Sequence, residues 1–334
     1  MMFTLIKIKK IVKYLLALIF HYSGFNNNYI SKTSSHYILM FHRLDDDNDI
    51  LSISIPLSYL SDIAAWSKDL GEIVNMTDLL SQKDKKVRIC ITFDDGFKNV
   101  KDVTKIKPSI PSTLYLSTAY VESEKKFWVT ELEELVFRCE KHPLDLTSFC
   151  LGIYELDTLQ KKHIAIRLLN SKIKKLHPAS IEAVVKYLRL ILPKYINDDE
   201  QFLSWEEIQD LMSEGMEVGG HTHSHVISSK VTPNEFRKEI VISNELITNN
   251  TGKPPQHFAY PNGRKQDISD FSREMLKNHG YISAVTTIEG PNSIGDDPYM
   301  LKRFNVSKDR VENPWGRPSK AMFTTMLVNP IGVH

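Results

Sequence analysis

Three histidines stand at alternate positions in the segment GGHTHSH, which spans residues 219–225. Imidazole nitrogen is a common ligand of divalent metal ions, and three histidines this close together are more typical of a metal site than of unrelated structural residues. The spacing predicts that some of His221, His223 and His225 bind a metal, and it leaves open which of them do. The two glycines before them are expected to let the strand end approach the metal closely.

Two other segments place polar residues directly after an apolar run. KVRICITF is followed by Asp94 and Asp95, and HYILMF is followed by His42. Taken singly, an Asp-Asp-Gly sequence is more often a turn, and a lone histidine more often has a structural role. Together with the histidine segment, these residues supply both carboxylate and imidazole ligands, which suit Zn²⁺ or a similar divalent ion.

These residue types predict hydrolysis by a metal-activated water. Two histidines and one aspartate leave coordination positions for water, whose pKa the metal lowers. Hydrolysis also requires a base for the proton of the water and an acid for the leaving group. Because neighbouring side chains point in different directions, one of Asp94 and Asp95 can bind the metal while the other takes the proton. A histidine across the mouth of the barrel suits the role of acid, since an ordinary imidazole has a pKa of ~6.5.

We expect these residues to lie at the carboxyl edge of a parallel sheet. Short β-rich segments alternate with helical patterns, one of which has Pro233 near its start and Gly252 just past its end. Strands that alternate with helices predict a parallel sheet, open or closed into a barrel, and such folds bind ligands where their strands end. The predicted strands are residues 36–41, 86–93, 112–118, 215–220, 256–261, 281–287 and 301–306.

The composition excludes several classes of protein. The net charge of +1, from 42 basic and 41 acidic residues, provides no basic surface for nucleic acid. A hydrophobic content of 42% and a charged content of 25% are typical of a soluble globular chain. The scattered Cys90, Cys139 and Cys150 are too few for a disulfide framework and contain no Cys-x-x-Cys pair for a thiolate metal site.

The motifs TFDDG (Thr92–Gly96) and HTHSH (His221–His225), in this order and each after a strand, resemble those of the polysaccharide deacetylases of carbohydrate esterase family 4. Residues 204–225 also resemble the helix and strand that lead into the second motif of that family. The resemblance extends over most of residues 37–306. It implies an α/β fold, a distorted (β/α) barrel of the polysaccharide-deacetylase type, and metal-dependent removal of N- or O-acetyl groups from sugars.

The resemblance also implies a role for each motif residue. Asp94 corresponds to the general base, and Asp95, His221 and His225 correspond to the metal ligands. His223 falls at a variable position of the motif, so it is expected to face the substrate or to support the ligands. The implied cofactor is a divalent metal, Zn²⁺ first, with Co²⁺, Ni²⁺ and Fe²⁺ as alternatives.

The acid histidine is implied by a permuted form of the family. In some relatives, including deacetylases of biofilm poly-N-acetylglucosamine, the motif that carries this histidine lies near the N-terminus. The segment ILMFHR resembles that form and implies His42 as the general acid.

The third motif departs from the family pattern Arg-x-Pro-Tyr-Gly. Here it is AYPNG, with Ala259 in place of the arginine that normally orients the base aspartate. Arg303, in the segment LKRFNV, is the candidate substitute, and a surface cation is the alternative interpretation. Pro261 and Asn262 are expected to stabilise an oxyanion through a backbone N–H, which does not need the tyrosine side chain. The tryptophan-bearing fourth motif of the family is not recognisable.

The sequence predicts one catalytic domain with additions. Residues 1–36 are expected to form a basic, apolar N-terminal helix, residues 37–308 the catalytic domain with a helical insertion at about 125–204, and residues 309–334 an irregular tail. Residues 1–24 carry four lysines and no acidic residue. They suit a helix on an anionic membrane surface, a helix packed on the core, or an export signal without a recognisable cleavage site. The expected location is the cytoplasm or the inner membrane surface, with export as a third possibility.

The predicted function is a metal-dependent hydrolase that removes acetyl groups from N-acetylated amino sugars of a bacterial surface glycan or its precursor. One alternative is an O-acetyl esterase or another amide hydrolase on the same fold. The other is a catalytically inactive glycan-binding module, which the missing arginine suggests. The expected partners are that acetylated glycan or precursor and, through residues 1–24, a membrane surface, with no nucleic acid.

Overall fold

An eight-stranded sheet of parallel strands forms the centre of the protein. The computed structural model of the protein describes residues 2–33, 36–45, 53–81, 84, 86–123, 125–140, 143–192 and 201–328. The strands in these ranges are β1 (His36–Phe41), β2 (Arg43–Leu44), β3 (Ser54–Ile55), β4 (Glu72–Val74), β5 (Arg88–Phe93), β6 (Ser112–Leu116), β7 (Leu144–Asp145), β8 (Ile153–Tyr154), β9 (Met216–Gly220), β10 (His257–Ala259), β11 (Ser283–Val285) and β12 (Phe304–Asn305).

The strand order explains how distant motifs meet. Along the sheet the order is β11-β10-β9-β6-β5-β1-β12, with β4 also beside β5. Every residue of β1, β5 and β6 is buried. Parallel strands that are covered on both faces appear in a sequence as continuous apolar runs. This is why runs such as HYILMF predicted strands correctly.

The segment around Arg303 joins the two edges of the curled sheet. Leu301 pairs in parallel with Val285 of β11, and Phe304 of β12 pairs with Leu39 of β1. The sheet therefore curls into a distorted barrel in which this segment touches both edges. The predicted fold class, a distorted (β/α) barrel, is confirmed by this arrangement together with the structural relatives described below.

Helices surround the sheet. Their bounds are α1 (Met2–Tyr22), α2 (Phe25–Thr33), α3 (Leu57–Leu70), α4 (Met76–Ser81), α5 (Trp128–Phe137), α6 (Leu159–Ile173), α7 (Pro178–Ile191), α8 (Trp205–Ser213), α9 (Pro233–Thr251), α10 (Asp270–Asn278), α11 (Lys308–Val311) and α12 (Lys320–Val328). Helix α9 begins with a capping box between Thr232 and Glu235, and Gly252 ends it in the left-handed conformation. The helix boundaries predicted from Pro233 and Gly252 are therefore confirmed.

The region between β6 and β9 has a core of its own. Helices α5, α6 and α7 and the antiparallel pair β7–β8 pack around a separate cluster of buried apolar side chains that includes Leu132, Leu169 and Leu188. This cluster lies within the stretch that the sequence marked as a helical insertion. The division of the chain into domains stays a prediction.

The expectation of an irregular C-terminal tail is wrong for the residues that the structure describes up to Val328. Residues 320–328 form α12, in which Phe323 is fully buried and packs against Trp66 of α3. Six of the nine residues in KAMFTTMLV are apolar, and the helix is buried on most sides, so it lacks the alternation of polar and apolar faces that reveals a surface helix. Residues 329–334 lie outside the described residues.

Helix α1 packs one face on α12. Ala17 is fully buried against Ala321 and Met322, with Tyr14 and Leu18 beside it. This face therefore has one of the arrangements expected for the N-terminal segment, that of a helix packed on the protein's own core. Among the residues that the structure describes, no helix combines the length and apolar character needed to cross a lipid bilayer.

Candidate active site

Three potential metal ligands converge at the carboxyl edge of the sheet. Asp95 follows β5, and His221 and His225 follow β9. Oδ1 of Asp95 lies 3.4 Å from Nε2 of His221 and 3.4 Å from Nε2 of His225. Asp95 and His221 are buried, and the side chain of His225 is 12% exposed. The structure thus brings together the three residues that the resemblance implies as ligands.

The two distances from Asp95 fit a metal ion. A tetrahedral Zn²⁺ site with bonds of ~2.0–2.1 Å has edges of roughly 3.3–3.4 Å between its ligand atoms. Oδ1 of Asp95 is buried and accepts no hydrogen bond of regular geometry from the described residues. Nδ1 of His221 lies 2.7 Å from the carbonyl oxygen of Ala259. Because a carbonyl only accepts, Nδ1 carries the proton, and Nε2 turns its lone pair toward the point that the ligands share.

The charges of the cluster also suit a bound cation. Burial lowers the pKa of His225 to about 3, so its imidazole is neutral near pH 7 and can bind a metal. Burial also opposes a proton on His221, but its close contact with Asp95 and the charges of Asp94 and Asp95 outweigh that effect and raise its pKa. A divalent ion would take the place of that proton and neutralise the same carboxylates.

Four site residues adopt a backbone conformation that is uncommon outside glycine. Asp95, Thr222, His225 and Asn262 have φ angles of 73°, 61°, 56° and 59°. Such left-handed residues cost about 1–3 kcal/mol each and persist where the surrounding structure holds them. Here they turn the chain sharply after β5, β9 and β10, which aims Asp95 and His225 at the same point.

The two glycines before the histidines have a different role from the one expected. A Cβ on Gly219 would lie 2.5 Å from the carbonyl oxygen of His257 and 2.6 Å from the ring of Tyr115. A Cβ on Gly220 would collide with the hydroxyl of Tyr281. These glycines therefore make room for neighbouring strands and aromatic side chains, not for the metal.

Asp94 is held by Arg303 in a bidentate ion pair. The guanidinium Nη1 donates to Oδ1 at 2.7 Å and Nη2 donates to Oδ2 at 2.8 Å. Arg303 is fully buried, and its Nε donates to the carbonyl oxygen of Thr286 at 2.9 Å. Burial alone would raise the pKa of Asp94, but the charge of Arg303 keeps it below the usual range. The surface-cation interpretation of Arg303 is therefore wrong.

His42 stands beside the two aspartates. Phe41 pairs with Phe93 at the ends of β1 and β5, and the N–H of Asp94 donates to the carbonyl oxygen of Phe41 at 2.9 Å. His42 and Asp94 are thus the first residues past two adjacent strands. Burial lowers the pKa of His42, against the opposing charges of Asp95 and Asp94. Its role as the acid stays a prediction.

Asn262 lies at the opposite side of the site, after β10. Its side chain donates to Asp267 and accepts from Lys174 Nζ at 3.4 Å. Its backbone N–H donates to none of the described residues, so this group is free for a substrate oxygen. Pro261 before it is buried. The oxyanion role of Pro261 and Asn262 stays a prediction.

His223 is not part of the ligand cluster. Its Nδ1 lies 3.0 Å from the hydroxyl of Thr118, and its carbonyl oxygen accepts from the N–H of Ala119 at 2.8 Å. Its expected contact with the substrate stays a prediction.

A cleft of about 560 Å³ opens beside His225 and Asn262. Its far wall comes from helices α5 to α7, including Trp128 and Arg189. In addition, the ring of Phe127 meets that of His225 edge-on, with centroids 4.7 Å apart. Sequence reasoning missed these residues because it placed the helical region outside the catalytic motifs. The aromatic pair in KKFWVTELEEL was the available signal.

A curled parallel sheet with two histidines and one aspartate at its carboxyl edge defines an α/β barrel with a candidate metal centre. The model of the family described as polysaccharide deacetylase matches residues 81–284, which is well over half of the chain. The chain therefore belongs to the polysaccharide deacetylase family. A search of curated proteins finds no relative of this chain.

Solved structures share the fold at low sequence identity. The polysaccharide deacetylase BC0361 from Bacillus cereus is 18% identical with a TM-score of 0.54, over 87% of this chain and 68% of that one. IcaB from Ammonifex degensii is 16% identical with a TM-score of 0.54, over 82% and 93%. The Streptococcus pyogenes deacetylase PplD, solved with acetate, is 15% identical with a TM-score of 0.53, over 84% and 96%. These likenesses show a common fold.

Proposed function

We propose that this protein is a metal-dependent hydrolase that removes the acetyl group from an N-acetylated amino sugar of a bacterial surface glycan or its precursor. The observation that carries the proposal is the buried Asp95, His221 and His225 cluster with Asp94 fixed beside it by Arg303. Membership of the deacetylase family supports the reaction type. PplD, which shares the fold, is named a deacetylase, and its structure contains acetate, the product of the proposed reaction.

Asp95, His221 and His225 would hold the metal. When bound there, a divalent ion supplies Lewis acidity to a carbonyl oxygen and lowers the pKa of water. Asp94 accepts the proton of the attacking water, and its two hydrogen bonds to Arg303 keep its carboxylate charged and fixed in direction.

Two further groups act on the acetamide. The free N–H of Asn262 donates to the acetyl oxygen as negative charge develops on it. His42 gives a proton to the departing nitrogen, so that the C–N bond breaks to acetate and a free amino sugar. The partly exposed Trp128 and buried Tyr120 line the cleft and offer apolar faces for the sugar ring.

Acetate release from a matched panel of N-acetylated and O-acetylated oligosaccharides tests the proposal. We expect release from the N-acetylated members, loss of release after dialysis against a chelator, and recovery on addition of Zn²⁺. His225→Ala should lose the metal, whereas His223→Ala, in the same motif, should keep it. Release only from O-acetylated sugars, or bound metal without acetate from any member, would contradict the proposal in favour of an esterase or an inactive binding module.

The proposal includes peripheral contact of α1 with an anionic membrane. The side of this helix away from α12 exposes a row of apolar residues: Ile8, Ile11, Val12, Leu15, Ile19 and Tyr22. Lys9, near the start of this row, is exposed as well. An exposed apolar row with basic residues and no acidic ones suits the surface of an anionic bilayer.

Flotation with lipid vesicles tests this contact without disturbing the core. The double substitution Leu15→Ser and Ile19→Ser should abolish binding to vesicles rich in phosphatidylglycerol, because it removes two side chains of the apolar row. Both residues face solvent, so the fold should be unaffected. Leu168→Ser, at an exposed leucine of α6, is the matched control and should leave binding unchanged. Equal flotation of the double variant and the wild type would refute the contact.

A further inference from the structure

A second cavity of about 490 Å³ adjoins the cleft and shares Lys174, Lys230 and Asn262 with it. Its lining is dominated by positive charge. The cations that line it are Arg167, Lys174, Lys175, Lys230 and Arg264. It also includes one carboxylate, that of Asp267, which already accepts a hydrogen bond from Asn262.

Within the described residues, none of these five cations forms an ion pair with a carboxylate. Two cations of the cleft, by contrast, are paired with carboxylates. Arg189 binds Glu131 through two hydrogen bonds of 2.5 and 2.7 Å, and Lys126 lies 3.3 Å from Glu134. Lys125, Lys174 and Lys230 also line the cleft and form no ion pair among the described residues. Because Lys174 and Lys230 line the adjoining cavity as well, the unpaired positive charge extends from the cleft and is most concentrated in that cavity.

Helix α6 supplies one wall of this cavity. Arg167, Asn170, Ser171 and Lys174 follow one another at helical spacing of three and four residues, so they share a face. Oδ1 of Asn170 is buried and has no hydrogen-bond partner among the described residues. A buried acceptor without a donor is uncommon, and a ligand hydroxyl would satisfy it.

Lys174 links the cavity to the reaction site. It caps the C-terminal end of α6, is partly buried, and donates to Oδ1 of Asn262 at 3.4 Å. Burial lowers the pKa of Lys174, and the nearby charge of Arg264 lowers it further. Two cations held this close repel each other, and an anion between them would relieve that repulsion.

We propose that this cavity binds a phosphate group of the substrate, so that the amino sugar placed at the metal site is part of a phosphorylated glycan or is joined to a diphosphate. This inference rests on the proposed function and defines its substrate class. Two arginines and three lysines against one engaged carboxylate match the multiple charge of phosphate better than the single charge of a uronic acid. The orphan oxygen of Asn170 would accept a hydroxyl of the sugar that carries the phosphate.

The first test measures binding of inorganic pyrophosphate to the full chain loaded with Zn²⁺ by calorimetric titration. Arg167 and Lys175 are exposed and lie outside the catalytic groups, so the double substitution Arg167→Glu and Lys175→Glu should fold normally. We expect it to weaken pyrophosphate binding at least tenfold. The control, Lys161→Glu and Lys186→Glu, changes two exposed lysines of α6 and α7 outside the cavity and should leave binding unchanged. Equal affinity of wild type and cavity variant would overturn the inference.

The second test compares kcat/KM for three substrates: a neutral N-acetylated oligosaccharide, an oligosaccharide with a phosphodiester, and UDP-N-acetylglucosamine. The cavity variant should lose at least tenfold on one phosphorylated substrate and less than twofold on the neutral one. The phosphorylated substrate that loses activity shows whether the bound phosphate belongs to a polymer or to a diphosphate-linked sugar. An equal loss on all three, or no loss on any, would overturn the inference. Pyrophosphate binding without acetate release from any substrate would sink the proposed function and leave the anion site standing.

Discussion

Replacing Arg303 tests how Asp94 is held, because the ion pair between them is almost fully buried. Both side chains are at most 3% exposed, and two hydrogen bonds of 2.7 and 2.8 Å join them. Removal of one partner of a buried pair costs about 3–5 kcal/mol, since the other charge stays buried without compensation. We therefore expect Arg303→Met to lower the free energy of unfolding by about that amount.

The assay is equilibrium unfolding in urea combined with a double-mutant cycle. Asp94→Asn together with Arg303→Met removes both charges, so its destabilisation should fall short of the sum of the single changes by roughly 0.5–3 kcal/mol. The control is Arg273→Met, which breaks a 2.9 Å pair with Asp297 in which Arg273 is 58% exposed. That change should cost at most about 1 kcal/mol.

Two outcomes would refute this reasoning. Additive single changes would mean that Asp94 and Arg303 are not energetically coupled. If Arg303→Met lowered the free energy of unfolding no more than Arg273→Met does, the buried pair would contribute no more to stability than an exposed one. The rate of acetate release provides a further check. Arg303→Lys keeps the positive charge but loses the bidentate geometry. This variant should release acetate more slowly than the wild type and faster than Arg303→Met.

Three further predictions concern the acid, the C-terminal helix and the glycines. His42→Gln should retain bound zinc and reduce kcat for acetate release by about 10²–10⁴-fold, and a near wild-type kcat would exclude His42 as the acid. Phe323→Ala should lower the free energy of unfolding in urea by about 3–5 kcal/mol. The control Leu190→Ala, at a side chain that is 77% exposed, should lower it by under ~0.5 kcal/mol. Equal losses for the two variants would mean that α12 does not stabilise the domain. Gly220→Ala should lower the melting temperature because of its collision with Tyr281, and adding Tyr281→Phe should restore part of the loss; no change in either variant would refute that contact.

The strands and the histidine cluster were predictable because their signals are local. Strands such as β1 and β5 are apolar throughout, and the turn residues after them are polar. The two motif segments end on neighbouring parts of one sheet, so the meeting of Asp95 with His221 and His225 follows from the parallel topology.

The pairing of Arg303 with Asp94 was predictable only as a candidate. The two residues are 209 positions apart, and the contact depends on how the segment around Arg303 spans the two edges of the sheet. No local pattern encodes that closure. The family pattern places the arginine at the position of Ala259, whereas here the guanidinium that binds Asp94 comes from another segment.

The walls of the cleft could not be predicted from the motifs. Trp128, Lys174 and Arg189 reach the site because the core around α5 to α7 sets the direction of these helices. That direction results from tertiary packing, which spacing along one helix does not specify. Helix α12 was missed for a related reason, since a helix buried on most sides shows no amphipathic period.

Zinc content and acetate release, measured side by side for the wild type and Asp94→Asn, test the central claim most directly. Asp94 is the base in this account, and Asp95, His221 and His225 are the ligands. Asp94→Asn should therefore keep one zinc per chain and lose acetate release by about 100-fold or more. Loss of the zinc together with the activity, or acetate release near the wild-type rate, would contradict the account.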